Sequence, residues 1–214
     1  MVRAEVHVTT RRLTQRGRER RAQLLDIAAR QFAEGGYHPT SVAEIVEAAG
    51  VGKGVFYWYF ESKEALFTEI LRDANISLRR RQQAALGNEP DPIRRLELGI
   101  LASMHWYHEH RYVFNLFQFA QSETEFAAIL VESQETALND AMRHVKDAMA
   151  EGRIRDGDPL FLTQAVIGTT NYLARRFIFD ASDDPNEVAT MASAFVLHGL
   201  MASPEPAARP LTVF

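Results

Sequence analysis

Three aspartates in this sequence stand directly before a proline, at Asp91-Pro92, Asp158-Pro159 and Asp184-Pro185. An aspartate side chain accepts from the open amides of a helix's first turn, and a proline there has no amide to leave unsatisfied, so each pair predicts a helix start. Ser41-Val42-Ala43-Glu44 predicts another as a capping box, the serine hydroxyl and the glutamate carboxylate each accepting from the other's backbone N–H. Ser62 caps one more. Between these points no apolar-polar alternation bounded by turns occurs, and there is no internal repeat or low-complexity run. The predicted fold class is all-α, with a small N-terminal three-helix domain and a larger C-terminal helical domain.

Within the N-terminal part, Leu25, Ala28, Ala29 and Phe32 recur at helical spacing in an amphipathic helix over 18–32, which Gly35-Gly36 should close. The helix opened by Ser41 is short, because Gly50 interrupts it after Val42, Ile45 and Val46 have formed one apolar face. A turn of about four residues precedes a further short helix over 53–60. Two short helices joined by a glycine turn form a helix-turn-helix, whose second helix enters the major groove of DNA when its exposed face carries suitable chemistry. With Phe56 and Phe60 inward, that face holds Lys53, Gly54, Tyr57 and Trp58, with Tyr59 at the edge. Four consecutive aromatics, Tyr57 to Phe60, would ordinarily read as core, but they span every side of a helical turn and leave a large ring exposed.

Charge agrees with this division. The whole chain carries −4, yet residues 1–63 carry +3 and the remainder −7, so only the N-terminal part suits phosphates. The arginines at 11, 12, 16, 18, 20 and 21 and Lys63 are candidates for that contact, or solvated charges.

Residues from about 20 to 69, and above all 36–46 and 50–67, resemble the DNA-binding region of the TetR (tetracycline repressor-like) family of transcriptional regulators. The resemblance implies that Thr40 and Ser41 bond phosphates, that Lys53 and Gly54 approach base edges, and that Tyr57, Tyr59 and Lys63 hold the DNA backbone, with Trp58 suited to either task. The sequence departs from the usual pattern at Gly52, where a serine is common, and at Val55, where a small hydroxyl residue is frequent. Val55 would instead meet a thymine methyl.

In the C-terminal part the segments 159–180 and 185–202 are apolar over more than one stripe, as Met191, Ala192, Phe195, Val196 and Leu200 show. Packing across a twofold axis would bury the surplus, and the family resembled commonly dimerises through such a four-helix bundle. Helices over 93–109, 111–122 and 123–151 precede them, the last ended by Gly152. Met104, His105, Trp106 and Tyr107, followed by Phe114, Asn115, Phe117 and Gln118, mix aromatic and polar groups as a small-molecule pocket does. Asn171, Tyr172 and Arg175 offer a second polar set. His105, His108 and His110 leave a metal-responsive regulator as an alternative, and ordinary core and surface residues as another.

The expected layout is a basic flexible arm over 1–17, a helix-turn-helix domain over 18–66 with a linking helix to about 86, a ligand-binding and dimerisation domain over 90–203, and a tail over 204–214. No apolar run approaches the roughly 18 to 20 residues of a membrane span, and there is no cysteine, so a cytoplasmic protein without disulfides is expected. Nucleophile elbow, phosphate loop, dinucleotide fingerprint and zinc-protease signatures are all missing, and no enzyme, cofactor or metal is expected. The function expected is a regulator, a repressor released by a mainly apolar effector, binding palindromic operator DNA as a homodimer. A helical protein–protein adaptor is the rival reading.

Overall fold

The computed structural model describes residues 13–201. It divides into two compact units, Met1–Ile70 and Leu71–Phe214, the division falling inside one helix. Most of the expected arm and the expected tail lie outside the described residues. No strand occurs among those described; one isolated bridge joins Ile154 to Met201.

The first unit holds α1 (Gln15–Gly35), α2 (Val42–Ala48), α3 (Lys53–Tyr59) and the start of α4 (Lys63–Leu86). α1 begins three residues before its apolar periodicity does, because the Thr14 hydroxyl accepts from the Gly17 amide. It closes where expected, at Gly36 with φ +86°. The predicted capping box of α2 is complete in both directions. α2 ends on Gly50 at φ +63°, a left-handed residue that brings the Val51 amide to the Val46 carbonyl at 2.9 Å and the Gly50 amide to the Glu47 carbonyl at 3.0 Å. This reverses the chain in four residues and launches α3. Leu24, Ala28 and Phe32 from α1, Ile45 from α2, Phe56 from α3 and Leu66 and Phe67 from α4 form the buried centre. The rings of Phe32, Tyr37 and Phe67 meet pairwise at 4.9 to 5.5 Å.

The second unit contains the rest of α4, then α5 (Pro92–Glu109), α6 (Tyr112–Ser122), a 3₁₀ turn (Thr124–Phe126), α7 (Ala127–Ala150), α8 (Pro159–Leu173) and α9 (Pro185–Leu200). All three Asp-Pro pairs cap as expected: Asp91, Asp158 and Asp184 accept from the amides of Ile93, Leu160 and Asn186. Ile93, Leu96, Ile100 and Met104 line one face of α5 and bury it against α7 and α9. Gly152, at φ +66°, ends α7 as the sequence indicates.

Two features depart from the sequence-based reading. The segment expected as one helix over 123–151 opens with the 3₁₀ turn, which buries Phe126. The helix expected over 159–180 changes character, because Ala174–Asp180 widens into a π-helix after α8. Arg111, at the α5–α6 corner, donates to the Phe179 carbonyl in that wide turn and to the Ser182 hydroxyl at 2.7 Å. Ser182 has φ +66°, so this corner stores backbone strain that the Arg111 clamp helps to hold.

Candidate nucleic-acid interface and effector region

α3 separates its aromatics as its periodicity requires. Phe56 is 0% exposed and Phe60 is buried beside it, their rings 5.7 Å apart, whereas Tyr57 is 56% and Trp58 52% exposed. Lys53, Gly54 and Val55 are exposed on the same helix, and Tyr59 is half-buried with its ring 4.5 Å from that of Trp58. The outer face thus carries a cation, a backbone without side chain at Gly54, a branched methyl surface and two aromatic rings. Gly52 caps α3 without a side-chain hydrogen bond.

Two of the side chains expected at phosphates have partners within the fold. Thr40 is buried, and its hydroxyl donates to the Gly36 carbonyl at 2.8 Å, so its side chain is directed into the α1–α2 link. The Lys63 ammonium donates to the carbonyls of Tyr37 at 3.0 Å, Thr40 at 3.1 Å and His38 at 3.5 Å, and lies 4.3 Å from the centre of the Tyr37 ring. An ammonium has three donors, and here all are directed to protein carbonyls. Lys63 fixes the link that positions α2. Similarly, Arg21 is drawn inward to Glu69 at 2.8 Å and over the Phe60 ring.

Ser41 keeps both roles open. Its oxygen accepts from the Glu44 amide at 3.2 Å. The Ser41 amide, which donates to Glu44 Oε2 at 2.6 Å, and then the Ser41 hydroxyl hold the Glu44 carboxyl below its usual range. Ser41→Ala is expected to lower stability in urea unfolding by about 1 kcal/mol. Ser41→Asp should keep the cap yet weaken duplex binding through repulsion from phosphate; equal binding by Ser41→Asp and wild type would remove Ser41 from the interface.

In the second unit the expected effector residues fall into separate groups. Met104 is buried in the core, with Tyr107 and Phe114 packed against it. The Tyr107 hydroxyl donates to Asn171 Oδ1 at 3.0 Å, and its ring lies 4.9 Å from Phe114, which is 5.3 Å from Phe179. Burial pushes the Tyr107 hydroxyl up to about 12, so it remains a donor at neutral pH. Trp106 turns instead toward α4: its indole N–H donates to Ser77 at 2.9 Å. Asn115 and Gln118 are exposed and Phe117 is half-buried on α6. Tyr172, on α8, and Arg175, in the π-helical segment that follows it, are exposed. Phe179 and Arg111, which the sequence reading missed, join the site only because the π-turn redirects the chain.

The histidines also diverge. His105 Nε2 pairs with Asn186 Oδ1 at 3.0 Å. His110 stacks on Trp106 with ring centres 4.5 Å apart and its Nδ1 2.9 Å from the Trp106 carbonyl oxygen. Among the described residues no group of three ligating side chains could hold a metal ion. His105 and His110 thus take separate partners within the fold.

α8 and α9 present Leu160, Phe161, Tyr172, Met191 and Phe195 outward, Phe161 and Phe195 each 70% exposed. A groove of about 570 Å³ between them is walled by Leu173, Phe177, Val188 and Met191, among others. Among the described residues no helix is long and apolar enough to cross a membrane.

Comparison with known proteins agrees with this geometry. The model of bacterial regulatory proteins of the tetR family matches residues 24–70. The chain is 26% identical over 198 residues to the HTH-type transcriptional regulator YdgC of Bacillus subtilis, spanning 87% of this chain and 95% of YdgC. It is 53% identical over 53 residues to the HTH-type transcriptional repressor KstR2 of Rhodococcus jostii, a match confined to 25% of this chain and 26% of that one. The structure of the ketosteroid transcriptional regulator KstR2 of Mycobacterium tuberculosis aligns with a TM-score of 0.68 at 26% identity, over 90% of this chain and 98% of that chain. The glycine-reversed α2–α3 pair, the tetR-family match over residues 24–70 and these relatives together support a DNA-binding transcriptional regulator with a tetR-type N-terminal domain, not an enzyme.

Proposed function

We propose that this regulator is a repressor that binds a palindromic operator as a homodimer and is released by a mainly apolar small molecule. The observation that carries the reading is the exposed face of α3, where Lys53, Gly54, Val55, Tyr57 and Trp58 stand on a buried base of Phe56 and Phe60. Lys53 and Val55 suit base edges, while Tyr57, Tyr59 and Ser41 suit phosphates, which position without specifying. The apolar outer faces of α8 and α9 support dimerisation across a twofold axis. Repression is supported by KstR2, which is named a repressor.

For the effector, support comes from Tyr107 and Asn171, a polar pair among Phe114 and Phe179, with Met104 behind. A ligand seated there needs to favour one dimer geometry by only about 1 to 3 kcal/mol to change operator affinity by roughly 5 to 150-fold.

Selection of bound fragments from random duplex DNA is expected to return inverted half-sites about 34 to 36 Å apart, one turn of DNA. Lys53→Ala should change the recovered motif, whereas Tyr59→Phe should weaken binding to all duplexes alike. Recovery of asymmetric or single-stranded sites would overturn the dimeric reading. A screened apolar compound that releases the operator should lose its effect in Tyr107→Phe and Asn171→Ala; undiminished release would move the effector elsewhere.

A further inference from the structure

The α5–α7 contact contains two polar atoms the fold leaves without a partner: Arg95 Nε on α5 and His144 Nδ1 on α7 are both buried and make no hydrogen bond. They lie in one charged cluster. Arg95 reaches Asp147 at 2.8 Å, while Asp140 takes Arg143 at 2.7 Å and also holds Arg79 of α4. The charges acting on His144 are Arg95 from α5 and Asp140, Arg143 and Asp147 from α7 itself. α6 and α8, which also pack on α7, contain no Asp, Glu, Lys, Arg or His.

We infer that Arg95 and His144 form a proton-sensitive joint between α5 and α7. Arg95 Nε is a donor under all conditions, so it is compatible with His144 Nδ1 only while that nitrogen can accept. Protonation turns Nδ1 into a second donor and places a new positive charge between Arg95 and Arg143. The charged imidazole also competes with Arg95 for Asp147, the carboxylate that ties α5 to α7. Burial, then Arg95 and Arg143, hold His144 below the ordinary histidine range, against the weaker opposite pull of Asp147 and Asp140. A histidine depressed in the folded state contributes stability fully above its unfolded value of about 6.5, and loses it as pH falls below that value toward the folded one. The joint thus gives the second unit a response to acidity that is separate from any effector.

The test is a proton NMR titration of the full chain, with the His144 resonance identified by its disappearance in His144→Gln. The expected midpoint in wild type lies below about 6.5, and Arg95→Met, which removes the charge and keeps an apolar stem, should move it upward. Between about pH 7.5 and about pH 5.5 the melting temperature of wild type should fall further than that of His144→Gln. A His144 midpoint that stays in place in Arg95→Met overturns the inference, and so does an equal fall of melting temperature in wild type and His144→Gln. If His144→Gln does not fold, His144→Asn identifies the resonance instead, and its midpoint in Arg95→Met decides.

Discussion

Phe56→Ala is expected to abolish operator binding by unfolding the first unit while leaving most of the helical signal of the second. Phe56 is fully buried at the centre of a unit of about 70 residues, with the rings of Tyr57 and Phe60 at 5.2 and 5.7 Å. Removing a buried phenylalanine costs about 3 to 5 kcal/mol, because the lost burial is compounded by a cavity that its neighbours fill only partly. Small units bury a lower share of their surface and have little stability in reserve. α3 has just seven residues, too few to persist without its packed side, so the reading face dissolves with the core. Circular dichroism should record two separated melts in Phe56→Ala, the earlier below that of wild type, with duplex binding lost at assay temperature. Phe56→Leu, which keeps much of the volume, should retain a folded unit and measurable binding. Wild-type melting and binding in Phe56→Ala would show that Phe56 does not support the reading face.

The second large effect is expected at Phe195, which projects 70% exposed from α9 near Met191. In a twofold interface each substitution appears twice, so Phe195→Glu would bury two charges without partners in an apolar contact. Analytical ultracentrifugation should show monomer where wild type is dimer. Operator affinity should fall by roughly 10² to 10⁴-fold, the gain that joining two half-site readers in one particle provides. The isolated protomer should keep its fold, because an exposed side chain away from caps and buried partners changes stability by about 0.5 kcal/mol or less. A Phe195→Glu protein that sediments as a dimer and binds the operator as wild type does would place the protomer contact on another face. Phe161→Glu, equally exposed on α8, extends the same test to the other helix.

The legible part of the site was the part governed by short-range rules. The division of α3 into a buried Phe56 and Phe60 and an outward Lys53, Tyr57 and Trp58 follows from helical spacing alone, and the structure has it so. The effector region was less legible. Aromatic and polar composition singled out 104–119, yet Asn115 and Gln118 lie on the exposed side of α6, and Trp106 is turned to Ser77. Composition identifies a segment suited to a pocket; only the neighbouring helices choose which side chains enter it.

The sequence by itself determined the all-α class, the helix starts at Ser41, Ser62, Asp91, Asp158 and Asp184, the glycine reversal between α2 and α3, and the aromatic division of the reading helix. Each depends on side chains and amides within about four residues of one another, where backbone geometry permits few alternatives. Tertiary structure decided the rest. Lys63 meets Tyr37 across 26 residues, Trp106 meets Ser77 across 29, and Arg111 clamps Phe179 across 68. At those separations local spacing carries no information on which groups approach. A lysine suited to phosphate reaches three carbonyls, because the fold brings them within its reach.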